Sequence, residues 1–281
     1  MGVWTRQTQW RQGTLLSAGS AVALRVVNEA DADTRVLIAA SHDCDIVTDN
    51  LSTEPTVEFV VGQVIDKVDG SYTRTKNARI LHLEFETPDG KKAVAFSIKV
   101  RVEIQKADLA DHAPDSRWTH ASPMGITSLR WWLAARYLRS SFPDTFEARL
   151  TQSKVAERFD RLLSPLGDFI YGIFFLVDDG DGLNHASQDP HELRAVVVYD
   201  SGLVDEENLE KIERMVDALR TLFKRTFYDE ATASWRKIEL VSCNKASDEV
   251  FSFANSRIFK QWRLEHRSLS DDSQPLPIQS V

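Results

Sequence analysis

Apolar and polar positions alternate most regularly between Lys92 and Ile104, where Val94, Phe96, Ile98, Val100, Val102 and Ile104 recur at every second residue. Side chains on an extended chain point to opposite faces in turn, so this pattern predicts a strand with one apolar face. Upstream, Leu15-Leu16 leaves a glycine turn, and Arg35 to Ala40 is a compact apolar run. Thr56 to Ile65 is rich in β-branched residues, and Ala78 to Phe85 alternates imperfectly. Polar turns separate them at Asp31–Asp33, Val68–Ser71 and Pro88-Asp89-Gly90. In the last, proline presets φ, aspartate bonds the local backbone and glycine accepts a positive φ. Short strands at such spacing predict a small barrel or sandwich over residues 1–112.

The periodicity then changes. Residues 113–123 mix prolines, histidines, aspartates and serines and read as a linker. Ile126, Leu129, Leu133 and Tyr137 sit at helical spacing. Phe146, Leu150, Phe159 and Leu162 mark a second helix. Phe169–Val177 and Leu193–Tyr199 have strand length and flank the polar loop Asp178–His191. Leu209, Ile212, Val216, Leu219 and Phe223 step by three and four, with Asp205, Glu206 and Glu207 at the start and Lys224 and Arg225 at the end. That is an amphipathic helix with its charges placed to suit the helix dipole. Trp235–Ser242 reads as a further strand, Val250–Leu269 is ambiguous, and the tail 270–281 is polar and expected to be disordered. The fold class expected is α+β: a small N-terminal β-barrel, then a mixed helix–strand half over 124–269.

Composition narrows the picture without naming a function. A chain of 281 residues, 42% hydrophobic and 27% charged, can build its core without disulfides or metals. Its two cysteines, Cys44 and Cys243, are far apart and suit a reducing compartment. The N-terminal stretch to Arg11 lacks the apolar core of a signal peptide, and no run reaches the ~18 apolar residues of a spanning helix. A cytoplasmic protein without membrane contact is expected. The net charge of −8 argues against wrapping of long duplex DNA. No Walker A loop, dinucleotide fingerprint, nucleophile elbow or His-Glu-x-x-His motif occurs.

Two clusters could carry chemistry. Ser41-His42-Asp43-Cys44-Asp45 follows the strand ending at Ala40, where a rigid scaffold can hold polar side chains in a cleft. Asp43 and Asp45, with His42 and a carboxylate such as Glu58 or Glu84 from a neighbouring strand, could hold a divalent metal and activate water. On an extended chain, only His42 with Cys44, or Asp43 with Asp45, share a side. The plainer alternative is a structural turn. The second cluster is Arg130-Trp131-Trp132 with Arg136 and Arg139. Between Ile126 and Leu163 there are seven Lys/Arg against four Asp/Glu. Here Arg130, Arg136 and Arg139 could contact phosphates while Trp131 stacks on a base. The plainer alternative is an amphipathic helix with a solvated charged face. Asp178-Asp179-Gly180-Asp181-Gly182 opens like a calcium loop but lacks the closing glutamate, since Asp189 stands at the twelfth place.

The glycine-led Gln12-Gly13-Thr14-Leu15, the strand Arg35-Val36-Leu37-Ile38-Ala39-Ala40-Ser41 and the following Val57–Ile65 resemble the SH3-like barrel of the MazF/PemK toxin ribonucleases. The resemblance covers under half the chain. It implies a barrel, and it places Arg35 and Ser41 where that family has RNA-cleaving residues. Three functions follow. The first is a non-catalytic module binding nucleic acid or a protein partner, accessory to a larger bacterial system such as a stress or phage-defence locus. The second is a metal-dependent hydrolase or nuclease centred on His42, Asp43 and Asp45. The third is a metal-free ribonuclease using Arg35. No cofactor is expected for the first; the second would add the divalent metal.

Overall fold

The computed structural model describes residues 2–135, 137, 142–178 and 190–262. The chain divides into two compact units. The first takes the chain to Val68 and Tyr72–Tyr137; the second takes Asp69–Ser71 and the described chain beyond Tyr137.

The first unit is a curled six-strand antiparallel sheet, a half-barrel. In chain order its elements are β1 (Leu15–Leu16), α1 (Ala18–Ala23), β2 (Arg35–Ala39), α2 (Asp43–Val47), β3 (Thr56–Ile65), β4 (Ile80–Thr87), β5 (Gly90–Gln105), α3 (Lys106–Leu109), β6 (Thr119–His120) and α4 (Met124–Ala135). The strands lie in the order β1-β2-β3-β5-β4-β6. Thr87 pairs with Gly90 across the Pro88-Asp89 turn, and Gly90 takes φ +99°, which a side chain would disfavour. Residues 113–123, read above as a linker, lie within this unit. Pro114 bridges to Leu16, the amide of Asp115 donates to the Leu15 carbonyl, and His120 pairs with Phe85. This stretch therefore touches β1 at one end of the sheet and supplies β6 beside β4 at the other.

Both faces of the sheet are apolar. On one, Ile38, Val60, Leu83, Phe85 and Phe96 pack with Leu129 and Trp132 of α4. On the other, Leu37, Phe59 and Ile104 pack with Trp4, Trp10 and Ile46. The alternation within β5 predicts one apolar face, but the strand serves both. Gly62 pairs with Phe96 and Val60 with Arg101, so five steps along β5 match two along β3. The excess of three is odd, so the bulge turns the strand over. Val94, Phe96 and Ile98 face α4, while Val102 and Ile104 face the opposite core. Gly62 is required where Val94 and Phe96 press close: a Cβ there would meet their side chains at 2.6–2.7 Å.

Three short helices escaped the periodicity. In α1, Ser17 caps the first turn by accepting from the Ser20 amide. In α2, His42 caps by accepting the Cys44 amide at Nδ1, 3.2 Å away. Lys106, at the start of α3, is fully buried; its Nζ donates to the carbonyls of Asp45 and Thr48 at the far end of α2. Burial draws the Lys106 pKa down, opposed by Glu54 and Asp45.

The second unit holds α5 (Asp144–Gln152), α6 (Val155–Leu163), β7 (Ile170–Val177), β8 (His191–Tyr199), α7 (Glu206–Phe227), β9 (Tyr228–Asp229), β10 (Ser234–Trp235), β11 (Ile238–Ser247), α8 (Phe253–Ile258) and β12 (Lys260–Trp262). The four-stranded sheet runs β11-β8-β7-β12 and β10 pairs with β9. β8 and β11 are parallel and joined through α7; the other pairs are antiparallel. The helix expected over Phe146–Leu162 is broken at Ser153-Lys154, where Lys154 takes φ +56°. The strand expected over Trp235–Ser242 is divided between β10 and β11. Phe175 is the centre of the core, with the rings of Phe142, Phe146, Phe159 and Trp262 at 5.6–6.1 Å. Among the described residues no helix is long and apolar enough to cross a membrane. The tail 270–281, and most of the Asp178–Gly182 stretch, lie outside the described residues.

Candidate functional site

The structure gathers residues from three separated parts of the first unit at the end of β2. Leaving that strand, Ser41 accepts the Glu58 amide at its Oγ, 2.8 Å away, which ties the turn to β3. His42 then caps α2, so Asp43-Cys44-Asp45 is helical. This corrects the extended geometry expected for the segment. At about 100° per residue, Asp43 and Asp45 do not share a side. Asp43 Oδ1 accepts the Gln12 amide at 2.7 Å, and its Oδ2 lies 3.1 Å from an Nη of Arg130. Arg130 Nε also donates to Gln12 Oε1 at 3.0 Å, and Gln12 Nε2 donates to the Ala40 carbonyl at 2.8 Å. Gln12 thus joins the β1 approach, the end of β2 and α4. None of this was legible in the sequence, because Arg130 stands 118 residues from Gln12 and 87 from Asp43.

Glu58, a proposed metal ligand, faces the same side of the sheet as Val60 and pairs with Arg101 at 2.6 Å. Arg101 Nε donates to the Ile98 carbonyl, within the β5 bulge. Glu84 pairs with Lys91 at 3.0 Å on an exposed part of β4. Each of these carboxylates therefore has a cationic partner. Among the described residues no group of three His, Cys, Asp or Glu side chains is disposed to hold a metal ion.

Arg35 and Ser41 occupy opposite ends of β2. Six residues at ~3.3 Å each separate them by about 20 Å. Arg35 shares a face with Leu37 and Ala39, and its Nη1 is buried without a hydrogen-bond partner.

The adjacent tryptophans of α4 have opposite fates. Trp132 is 0% exposed, inside the core; Trp131 is 68% exposed. Arg130 beside it keeps about half its side chain in solvent, 51%, despite its two bonds. Its other Nη has no partner among the described residues. Arg136 and Arg139 lie outside the described residues. Sequence could not separate the tryptophans: only the burial of Leu129 and Ala135 shows which face of α4 is turned inward.

One residue absent from the sequence reading stands beside this network. His120 Nε2 lies 3.1 Å from the carbonyl of Gly13, next to Gln12, and its ring lies 4.9 Å from Phe85. Its Nδ1 is buried without a partner, and burial holds its pKa below the usual range.

Against family models, curated proteins and solved structures, the chain shows no match.

Proposed function

We propose that the first unit is a non-catalytic binding module for nucleic acid and that the outer face of α4 makes the contact. The exposure of Trp131, on a helix anchored by its buried neighbour Trp132, carries the reading. An indole on a fixed helix offers a stacking platform for a base. Arg130 lies beside it, oriented by Gln12 and Asp43, with one amino group left for a phosphate. Asp43 offsets part of that positive charge.

Charge selects the form of nucleic acid. Residues 1–137 hold 16 Lys/Arg and 17 Asp/Glu, so most of the chain's acidic excess lies beyond them. A unit with no basic excess gains little from releasing counterions of a duplex. Its affinity would come from stacking, which requires an unpaired base, so the ligand is single-stranded. The module would serve a larger bacterial assembly. An SH3-like barrel of the MazF/PemK kind remains part of the proposal, supported by the curled sheet. Ribonuclease chemistry through Arg35 is disfavoured by the distance to Ser41, and the metal-hydrolase reading by the engaged carboxylates of Asp43 and Glu58.

The test is fluorescence anisotropy with a labelled oligothymidylate. Wild type is expected to bind, and Trp131→Ala to lose on the order of tenfold in affinity with unchanged circular dichroism. Equal binding by both proteins, or none by wild type at low salt, would remove the reading.

A further inference from the structure

We infer that His120 is a pH-sensitive latch that holds the Gln12-Gly13 turn against α4 and thereby sets the orientation of Arg130. The inference rests on the binding face proposed above for its functional meaning, but not for its test.

The geometry places two connections on one dipeptide. His120 Nε2 holds the Gly13 carbonyl at 3.1 Å, and Gln12 holds Arg130 and receives Asp43. Gly13 itself has φ +89°, and a Cβ there would meet the end of the Ile126 side chain of α4 at 2.3 Å. The turn is therefore specific to glycine and seated closely against the helix. On the other side of the imidazole, a Cβ on Gly125 would meet Nδ1 at 2.7 Å. The ring is half-buried between the Gly13 turn, the start of α4 and Phe85, with Nδ1 on its buried side.

With Nε2 donating to a carbonyl, the neutral ring carries its proton there, and Nδ1 is bare. Protonation adds an N–H and a positive charge at an atom with neither water contact nor acceptor. The charged groups of the surrounding elements give no compensation. On β4, Glu84 and Glu86 flank Phe85 and so project from the opposite face, both against Lys91. On the segment leading to β6, Asp115 and Arg117 pair with each other at 2.8 Å, and on β5 the charge facing Phe85 is a cation, Lys92, which lies over the Trp118 ring at 5.4 Å. On the β1 approach, Arg11 is bound to the carbonyls of Thr8 and Trp10. On α4, Arg130 is engaged with Gln12 and Asp43. A buried charge without a partner is costly, so mild acid should drive the imidazole toward water. That motion breaks the Gly13 carbonyl bond and leaves the turn held only from the β2 side, by the Gly13 amide to Ala39 and by Gln12 to Ala40 and Asp43, so that the Gln12 bond to Arg130 is weakened.

Amide hydrogen exchange of the full chain at pH 7.5 and pH 5.0, corrected for intrinsic rates, decides the matter. In wild type, protection across Gln12–Leu16 and the start of α4 is expected to fall about tenfold relative to β3, roughly the effect of losing one hydrogen bond. In His120→Asn, which keeps a donor but cannot titrate, the drop should vanish. Unchanged wild-type protection, an equal drop in the variant, or a uniform loss over the half-barrel would overturn the latch. If the variant does not fold, NMR titration of the wild-type His120 ring takes its place, and a pKa at or above 6.5 overturns the proposal. Oligonucleotide binding is measured separately at both pH values. Local opening without any binding would leave the latch standing and remove only the proposed ligand.

Discussion

The first unit packs apolar side chains against both faces of a single curled sheet, whereas the second concentrates its aromatic rings between one sheet and helices α5, α6 and α7. The first arrangement leaves little sheet surface for polar work, so polar groups collect at strand ends and on the outside of α4. It also demands internal polar ties, such as Lys106 across the end of α2 and Gln12 between three elements. In the second unit the rings around Phe175 fill the space between the sheet and these helices. Two-sided packing should thus couple a surface site to the core more closely than one-sided packing does, an expectation that core truncation tests.

The sharpest challenge to this contrast is core truncation. Phe175→Ala and Trp132→Ala should each cost about 3–5 kcal/mol in urea unfolding. Trp132→Ala should also disturb Arg130, whereas Phe175→Ala should leave binding by the surviving folded protein unchanged. A Trp132→Ala protein with wild-type affinity would dissolve the proposed coupling. Lys106→Met should cost about 1–3 kcal/mol, because it removes the donor from two part-buried carbonyls. A neutral result would mean that α2 is held by Trp4 and Ile46 alone. Trp131→Ala, by contrast, should alter stability by no more than about 0.5 kcal/mol while weakening binding.

Smaller effects separate the units by pH and by thiol chemistry. His120 binds a proton less readily folded than unfolded, since its folded pKa lies below 6.5. Its contribution to stability is therefore present above pH 6.5 and is lost as pH falls through the folded pKa. Urea midpoints of wild type and His120→Asn should converge or cross as the pH is lowered from 7.5 to 5.5. Burial pushes the Cys243 thiol up to about 11, while Cys44 is exposed. Iodoacetamide at pH 8 should modify Cys44 quickly and reach Cys243 only on unfolding. Rapid modification of both thiols would show that the second unit opens locally.

Sequence patterning revealed the long elements because burial imposes a period on them. β3, β5, β7, β8 and α7 each follow a run that can be read directly from the residues. The shorter helices α1, α2 and α3 lie below the length at which a period can be recognised. In α2 the cap is an unusual one, His42, and the support comes from Lys106 and Trp4, remote in sequence. The Gln12–Asp43–Arg130 network was hidden for the same reason: hydrogen bonds between distant residues leave no periodic trace. The face reversal in β5 was hidden differently, because alternation continues through it unchanged, and only the register with β3 shows the extra residues.

That reversal gives the half-barrel a rule of parity. Adding or removing one residue between Ser97 and Val100 would exchange the two faces of everything downstream in β5, sending Val102 and Ile104 toward α4 and Arg101 into the opposite core. Adding or removing two would preserve both. Length variation in this stretch should therefore be tolerated in even steps and rejected in odd ones, so counting residues here tests the architecture without any knowledge of which residues they are.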